Sequence, residues 1–344
     1  MIDLRSDSSS TPTDAMREAM AAAVVGNDAF GEDPTVNALE QRVASLLGKE
    51  SALFVSSGTM GNLVAVLTAT NPGDAVLAGR LSHLVRFESG APARFGGLAL
   101  VPFSDPRGRM RTEELESFLG LPMSLRPRVL SVENTHNSSG GLVLSVQEMA
   151  DYGSVARRYG LHLHIDGARL LNAASALGVH VSELSRHAAS VTICLTKCLS
   201  APVGAVLAGD AEFISRARDT RFQLGGQMRH TGILAAAGLV ALDVMLPQID
   251  KDHLNARVLA QGLAAIDGIE VDVDVVETNI VLFDVSSLGA SAPAFEERLE
   301  ARGVYASVFS PEQIRFITYR DIGEREISDV LDITAAVAQE YQSQ

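Results

Sequence analysis

Val191-Thr-Ile-Cys-Leu-Thr-Lys-Cys-Leu-Ser-Ala-Pro-Val-Gly204 reads as a short buried strand that runs out at a lysine. Val191, Ile193 and Leu195 alternate with smaller residues, which is the period of a strand. Ser200, Pro202 and Gly204 then stop regular structure. Lysine is among the residues least often fully buried, so Lys197 at this place needs a reason. The bland reason is an amine that snorkels out to water. The sharper one is an amine set to attack an aldehyde and form a Schiff base. Asp166 adds weight to the second, because it too ends a buried strand, Leu161-His-Leu-His-Ile165.

Outward from these two strands the pattern repeats. Ala52–Val55, Ala75–Leu77 and Val129–Val132 are further apolar runs, and helical spacing fills the gaps between them. One intervening helix starts at a capping box, Ser145 and Glu148, and stops at Gly160. Alternation of this kind predicts an α/β fold, a mostly parallel sheet with helices on both faces. Such sheets bind ligands at the carboxyl ends of their strands, where Asp166 and Lys197 fall. A lysine and a carboxylate so placed are what pyridoxal phosphate requires: a covalent anchor and a partner for the pyridinium nitrogen.

Towards the amino terminus, a helix is expected from Asp14 to Val25, capped by Thr13 and closed by Gly26. A second starts at Asp33-Pro34, carries Val36, Leu39, Val43, Leu46 and Leu47 on one face, and ends at Gly48. Beyond a long helix from Thr231 to Leu246 the pattern changes. Ile269–Val273 and Asn279–Phe283 read as neighbouring antiparallel strands, then come a helix (Pro293–Arg302), strands Val304–Val308 and Ile314–Thr318, and a last helix from Glu324. The expected division is an N-terminal arm with helices over 1–47, a large cofactor-binding domain over 48–248 and a smaller C-terminal α+β domain over 249–344.

Composition narrows the function classes. The formal net charge of −14 over 344 residues argues against a nucleic-acid or anionic-membrane partner. The longest apolar stretch, Ile233 to Leu246, is broken by Asp243 and is too short to span a bilayer. No basic segment followed by an apolar run opens the chain, so a cytoplasmic protein is expected. Cys194 and Cys198 lack nearby ligand partners, so they read as thiols in a reducing compartment, with no metal implied.

Other residues suit the same chemistry. Ser56-Ser-Gly-Thr-Met-Gly-Asn62 follows a strand and opens a helix, so its amides form an anion site suited to phosphate; a plain serine-capped turn is the alternative. His83, past the end of Ala75–Leu77, is placed to stack on an aromatic cofactor and to hold a water or a proton. Arg169 and Arg315 are candidates for a two-pronged grip on a carboxylate, and Arg229, after Gly225-Gly226, for phosphate. His136, His162 and His164 are read as structural.

Asp-Leu-Arg-Ser-Asp7, Gly-Glu-Asp-Pro-Thr35, Ser-Gly-Thr-Met-Gly-Asn62, Glu-Asn-Thr-His-Asn137, His-Ile-Asp-Gly-Ala-Arg169, Cys-Leu-Thr-Lys197 and Met-Arg229 occur in order, and with them the chain resembles the low-specificity threonine aldolases. These are fold-type-I pyridoxal 5'-phosphate enzymes of the β-eliminating lyase group. The resemblance runs from Ile2 to about Arg320. It implies Lys197 as the cofactor's covalent anchor, Asp166 at the pyridine nitrogen and His83 stacked on the ring. Gly58 and Thr59 would hold the phosphate, with Arg229 reaching in from a neighbouring subunit of a homotetramer. Ser6, Arg169 and Arg315 would hold the substrate carboxylate. The departures gather near the substrate's side chain: Phe30 replaces a usual tyrosine, Cys198 and Ser200 replace glycines, and Tyr319 replaces a late histidine. Met123 stands where many members carry a histidine that contacts the substrate hydroxyl. The implied activity is retro-aldol cleavage of a β-hydroxy-α-amino acid, such as threonine or a bulkier phenylserine, to glycine and an aldehyde. A related lyase, transferase or racemase on the same cofactor, and a cofactor-binding protein without catalysis, remain alternatives.

Overall fold

The computed structural model describes residues 1–343. A two-residue strand, β1 (Ile2–Asp3), leads through the helices α1 (Asp14–Ala22) and α2 (Pro34–Leu47) to the main sheet. There β2 (Ser51–Val55), α3 (Gly58–Thr68), β3 (Asp74–Gly79), α4 (His83–Arg86), α5 (Ala91–Gly96), β4 (Ala99–Phe103), α6 (Thr112–Leu119) and β5 (Arg126–Glu133) follow one another. The sheet is completed through α7 (Val146–Tyr159), β6 (His162–Asp166), α8 (Leu170–Leu177), α9 (Val181–Ser185), β7 (Ser190–Cys194) and β8 (Ala205–Gly209). Three helices, α10 (Ala211–Gln223), α11 (Gly232–Val244) and α12 (Gln248–Ala264), lead to β9 (Ile280–Asp284) and α13 (Ala292–Glu300). The short strands β10 (Val304–Tyr305) and β11 (Ser307–Val308), β12 (Gln313–Ile317) and α14 (Glu324–Gln342) end the chain.

The seven strands lie in the order β2-β8-β7-β6-β5-β3-β4. Neighbours from β7 to β4 are parallel, and only β8 runs against both of its neighbours. Six carboxyl ends therefore lie along one edge, and the order reverses between β3 and β5, the position where such sheets form a crevice. Buried Val, Ile, Leu and Ala on both sheet faces explain the near-continuous apolar strands. A second core, separate from the first, gathers α12, α13 and α14 around the antiparallel sheet β11-β12-β9. Leu4 belongs to it, because β1 pairs in parallel with β10.

The caps at Thr13, Asp33-Pro34 and Ser145/Glu148 stand as read from the sequence, with Gly48 and Gly160 in the left-handed C-cap position. Several expectations need correction. The first helix stops at Ala22, short of Val25, because Ala23 is already extended. Ile269–Val273 is not a strand: one isolated bridge joins Glu270 to Asp284, and Val273–Val275 is a 3-10 turn. Pairing with the edge strand β9 stops at that one bridge, and the chain then passes into the 3-10 turn at Val273. Val304–Val308 divides into two strands with different partners, β1 and β12. The long helix ends at Val244, and the 17-residue α12 after it was not anticipated, although Ile249, Ala256, Leu259, Ala260 and Leu263 follow helical spacing. Among the described residues no single helix is long and apolar enough to cross a membrane.

Candidate active site

The carboxyl ends of β2, β3, β5, β6 and β7 feed one pocket, which Gly58, Thr59, His83, Glu133, Asp166 and Lys197 line, among others. Ser57 caps α3 through a hydrogen bond from the Met60 amide, 3.1 Å. A Cβ on Gly58 would stand 2.6 Å from Cys194 Sγ, and one on Gly61 2.6 Å from Thr192 Cγ2. These glycines let α3 press against β7 and bring its first amides, at the positive end of the helix dipole, beside the strand that leads to Lys197. The strand itself ends at Cys194, so Lys197 lies three residues out, in the bend that follows.

His83 opens α4. Its backbone N–H donates to Glu133 Oε2 at 2.6 Å, and its Nδ1 lies 2.9 Å from Glu88 Oε1. The other Glu133 oxygen accepts from the Asn137 amide at 2.8 Å, so one buried carboxylate aligns both sides of the pocket. Asp166 is buried and accepts from Asn62 Nδ2 at 2.8 Å and from the Ala168 amide at 3.2 Å. Asn62 Nδ2 also donates to Glu88 Oε1 at 2.9 Å. Burial alone would lower the His83 pKa, but the hydrogen bond to Glu88 and the charges of Asp166, Glu88 and Glu133 raise it above the usual 6.5. Burial, with Asp166 nearby, raises that of Glu88 despite its bond to His83. Ligand atoms of His83, Glu88 and Asp166 come within 4.8 Å of one another. The Asn62 amide aims its hydrogens at both carboxylates, an arrangement that serves a hydrogen-bond network and opposes a cation.

On the other side of the pocket two arginines meet. Arg169 donates from Nε and one terminal nitrogen to the buried Asp7, at 2.7 and 2.8 Å, and from the other nitrogen to Asn137 Oδ1 at 3.2 Å. Arg315, on β12, donates to the same Asn137 oxygen at 3.1 Å and to the Arg5 carbonyl at 3.2 Å. Its Nε is buried without a partner, and no carboxylate pairs with it among the described residues. Burial and the neighbouring Arg169 lower its pKa to about 10. Arg169 thus spends its fork on Asp7, while Arg315 keeps charge and a free donor.

Ser6 and Arg315 do not line the pocket themselves; both adjoin it, Ser6 beside Asp7 and Arg315 through Asn137. Arg229 is exposed in the turn after α10, without an ion pair among the described residues. Met123 lies in the loop before β5, at the opposite end from Glu133. Seven residue steps along β5 put the two ends about 23 Å apart. Phe30 is 75% exposed, and Tyr319 is buried with its hydroxyl on the Asp3 carbonyl. Cys194 and Cys198 are buried and free. Sequence reasoning missed Asp7, Asn62, Glu88, Glu133 and Asn137 as site residues, and it read His164, now hydrogen-bonded to Asn62, as purely structural. Asp7, Asn62, Glu133 and Asn137 stood within the motifs quoted for the family without an assigned role, and Glu88 carried no signal. A larger cavity, about 650 Å³, opens beside β9, but no lysine, arginine or histidine lines it.

The family model described as Beta-eliminating lyase matches residues 3–287. The Low-specificity L-threonine aldolase 1 of Arabidopsis thaliana is 41% identical over 95% of this chain and 93% of its own. The Low specificity L-threonine aldolase of Escherichia coli (strain K12) is 38% identical, over 96% and 97%. A solved Leishmania major threonine aldolase superposes with a TM-score of 0.82 at 22% identity, covering 98% of this chain and all 100% of that one, and so shares the fold.

Proposed function

The chain belongs to the β-eliminating lyase family, among the low-specificity threonine aldolases, and we propose that it cleaves a β-hydroxy-α-amino acid, threonine or a bulkier analogue, to glycine and an aldehyde. One observation carries this reading: Lys197, Asp166, His83 and the first amides of α3 converge on a single pocket. Pyridoxal phosphate fits that pocket. Asp166 offers a buried carboxylate, α3 an anion site, and Thr135 Oγ1, which lines the same space, is buried without a partner. Lys197 would hold the cofactor covalently, Asp166 its ring nitrogen, Gly58 and Thr59 its phosphate, and His83 the face of its ring. Bound there, it supplies an electron sink for the pair released when the Cα–Cβ bond breaks.

The protein's own part is orientation and proton handling. Arg315 grips the substrate carboxylate, with Arg169, fixed by Asp7, bracing Asn137 between the two. That grip sets the bond to be broken in one orientation, which is catalysis by positioning. His83 has its Nδ1 held by Glu88, and the other ring nitrogen takes the β-hydroxyl proton, directly or through a water. We further read Arg229 and Met123 as residues that act across a subunit contact, since neither lines the pocket of its own chain. Exposed Val24, Phe30 and Ile233 lie around Asp33, which accepts from Gly26 and Gly232, and they support a contact there in a homotetramer. The two cores support a second unit (249–344) apart from the cofactor-holding unit (48–248); of the expected arm (1–47), α1 and α2 pack into the first core and β1 attaches to the second unit. The free buried thiols support a cytoplasmic location.

The test is a panel of β-hydroxy amino acids with separate detection of aldehyde, glycine, pyruvate and ammonia, alongside borohydride fixation and peptide mapping. Glycine plus aldehyde, with the label on Lys197, is expected. Pyruvate and ammonia instead, or a label on another lysine, would overturn the reading.

A further inference from the structure

Behind Asp166 the hydrogen bonds continue away from the pocket and under the sheet. Asn62 Oδ1 lies 3.1 Å from His164 Nε2, His164 Nδ1 lies 2.8 Å from Ser190 Oγ, and that hydroxyl lies 2.7 Å from His162 Nε2. Ser190 and His164 are fully buried, Asn62 almost so. His162 sits nearer the surface, its ring 4.7 Å from that of Phe213. Three elements contribute, α3, β6 and β7, and the alternation of the two strands brings His162, His164 and Ser190 to one face.

The directions along this chain follow from one end. Asn62 meets two carboxylates, Asp166 and Glu88, so both must face its NH₂ group and its oxygen must accept. His164 Nε2 then carries a proton. Burial, with His162 beside it, lowers the His164 pKa to about 3, so its ring is neutral and Nδ1 accepts from Ser190. The Ser190 oxygen in turn accepts from His162 Nε2. The pKa of His162 is lowered to about 4, again chiefly by burial, so that ring is neutral too. Every donor points the same way, towards the carboxylates.

We propose that His162, Ser190, His164 and Asn62 form a one-way donor chain that fixes Asp166 as a hydrogen-bond acceptor beside Glu88, and that His164 and Ser190 are positioning residues for the cofactor's ring nitrogen. Asp166 and Glu88 bring oxygens within 4.8 Å of each other, and the NH₂ group of Asn62 donates to both. The double donation from Asn62 holds both oxygens as acceptors, and the histidine behind it prevents the amide from turning over. Of the other ionisable groups near Asp166, His83, Glu133, Arg169 and Lys197 line the pocket, and His136 lies outside it. The inference rests on the reading of Asp166 as the partner of the ring nitrogen.

The first experiment uses the unaltered holoenzyme with ¹⁵N-labelled histidine. His164 is expected as a neutral ring protonated on Nε2, unchanged between pH 6 and pH 9. A proton on Nδ1, or a charged ring, overturns the proposal whether or not any variant folds. In the second, Ser190→Ala and Ser190→Thr are compared by the pH titration of the bound cofactor's visible band and by cofactor dissociation. Ser190→Ala is expected to move the titration by about one pH unit, a tenfold change in the protonation equilibrium. It should also lower kcat with KM nearly constant, and Ser190→Thr should restore both. A folded Ser190→Ala enzyme with an unmoved titration and unaltered cofactor retention would reject the chain's role. Failure of the unaltered enzyme to take cofactor at Lys197 would instead reject the reading of the site, leaving the histidine result to stand separately.

Discussion

Arg315 differs from the other buried or half-buried arginines in having no carboxylate partner. Arg169 and Arg221 are almost fully buried and are each closed by an aspartate, Asp7 and Asp28. Arg315 has only carbonyl oxygens, and its Nε has nothing. A cation left in this state is poised for an anionic ligand, and the planar fork suits a carboxylate better than a lysine ammonium does. Arg315→Ala should weaken amino-acid binding by about 2–5 kcal/mol, the usual cost of truncating one side of a hydrogen-bonded charge pair. Arg315→Lys should recover only part, and the cofactor's absorbance should be unchanged in both. Steady-state kinetics and a visible spectrum decide it; an Arg315→Ala enzyme with normal KM and kcat removes this residue from the site. Arg315 stood out already in the sequence, as a charge inside the apolar run Gln313–Ile317. The division of labour with Arg169 did not, because Asp7 lies 162 residues away along the chain.

Among the elements, α12 joins the two cores. Leu259, Ala260 and Leu263 pack into the second core, while Asn172 of α8 bonds to His253 and Ser175 to Asp250. Asp252 sits between these contacts, fully buried, with one oxygen bonded to Gln248 and the other without a partner. Burial above all, together with the charges of Asp7 and Asp321, raises its pKa from 3.8 to about 7. The sign follows from proton counting. Between those two values the folded protein keeps a proton that the unfolded chain has released, so this group's contribution to stability falls as pH rises through that window. The slope is at most about 1.4 kcal/mol per pH unit. Asp252→Asn keeps the acceptor for Gln248 and removes the charge. It should raise Tm more at pH 8 than at pH 5, as thermal melts at both values would show, and an equal effect at the two would mean that Asp252 does not titrate in this range. The helix went unread, although its apolar spacing is helical. Its buried aspartate left no such signal, since nothing local marks a carboxylate for burial.

For the whole molecule, Met123 and Arg229 make the strongest demand. Both lie outside the pocket of their own chain, and the geometry admits them to a site only if copies assemble. The protein should run in solution at four times the 36.4 kDa chain mass, measured by light scattering. Arg229→Ala should loosen the cofactor without altering that mass. On the proposed reading of Met123 as standing where relatives bind the substrate hydroxyl, bulkier substrates should gain over threonine by roughly 1–3 kcal/mol per methylene-sized contact. Met123→His should shift activity back towards threonine. A fully active monomer, or a Met123→His enzyme with an unchanged substrate profile, would remove these residues from the site.

The sequence by itself determined β2, β3, β5, β6 and β7 of the main sheet, the helix caps at Thr13, Asp33 and Ser145, the aspartate at the end of β6, the lysine just past β7 and the helix that opens at Gly58. Each of these is written in local periodicity or in a side chain's reach of a few residues. Tertiary structure alone decided that Ile269–Val273 stays out of the sheet, since it meets the edge strand β9 at one bridge and then turns away. It alone decided that Asp7 closes the fork of Arg169, that Glu133 aligns His83 with Asn137, and that His164 reaches Asn62. Those partners sit on different elements, and the free energy of a buried charge or hydrogen bond depends on what lies opposite it, which residue order does not state.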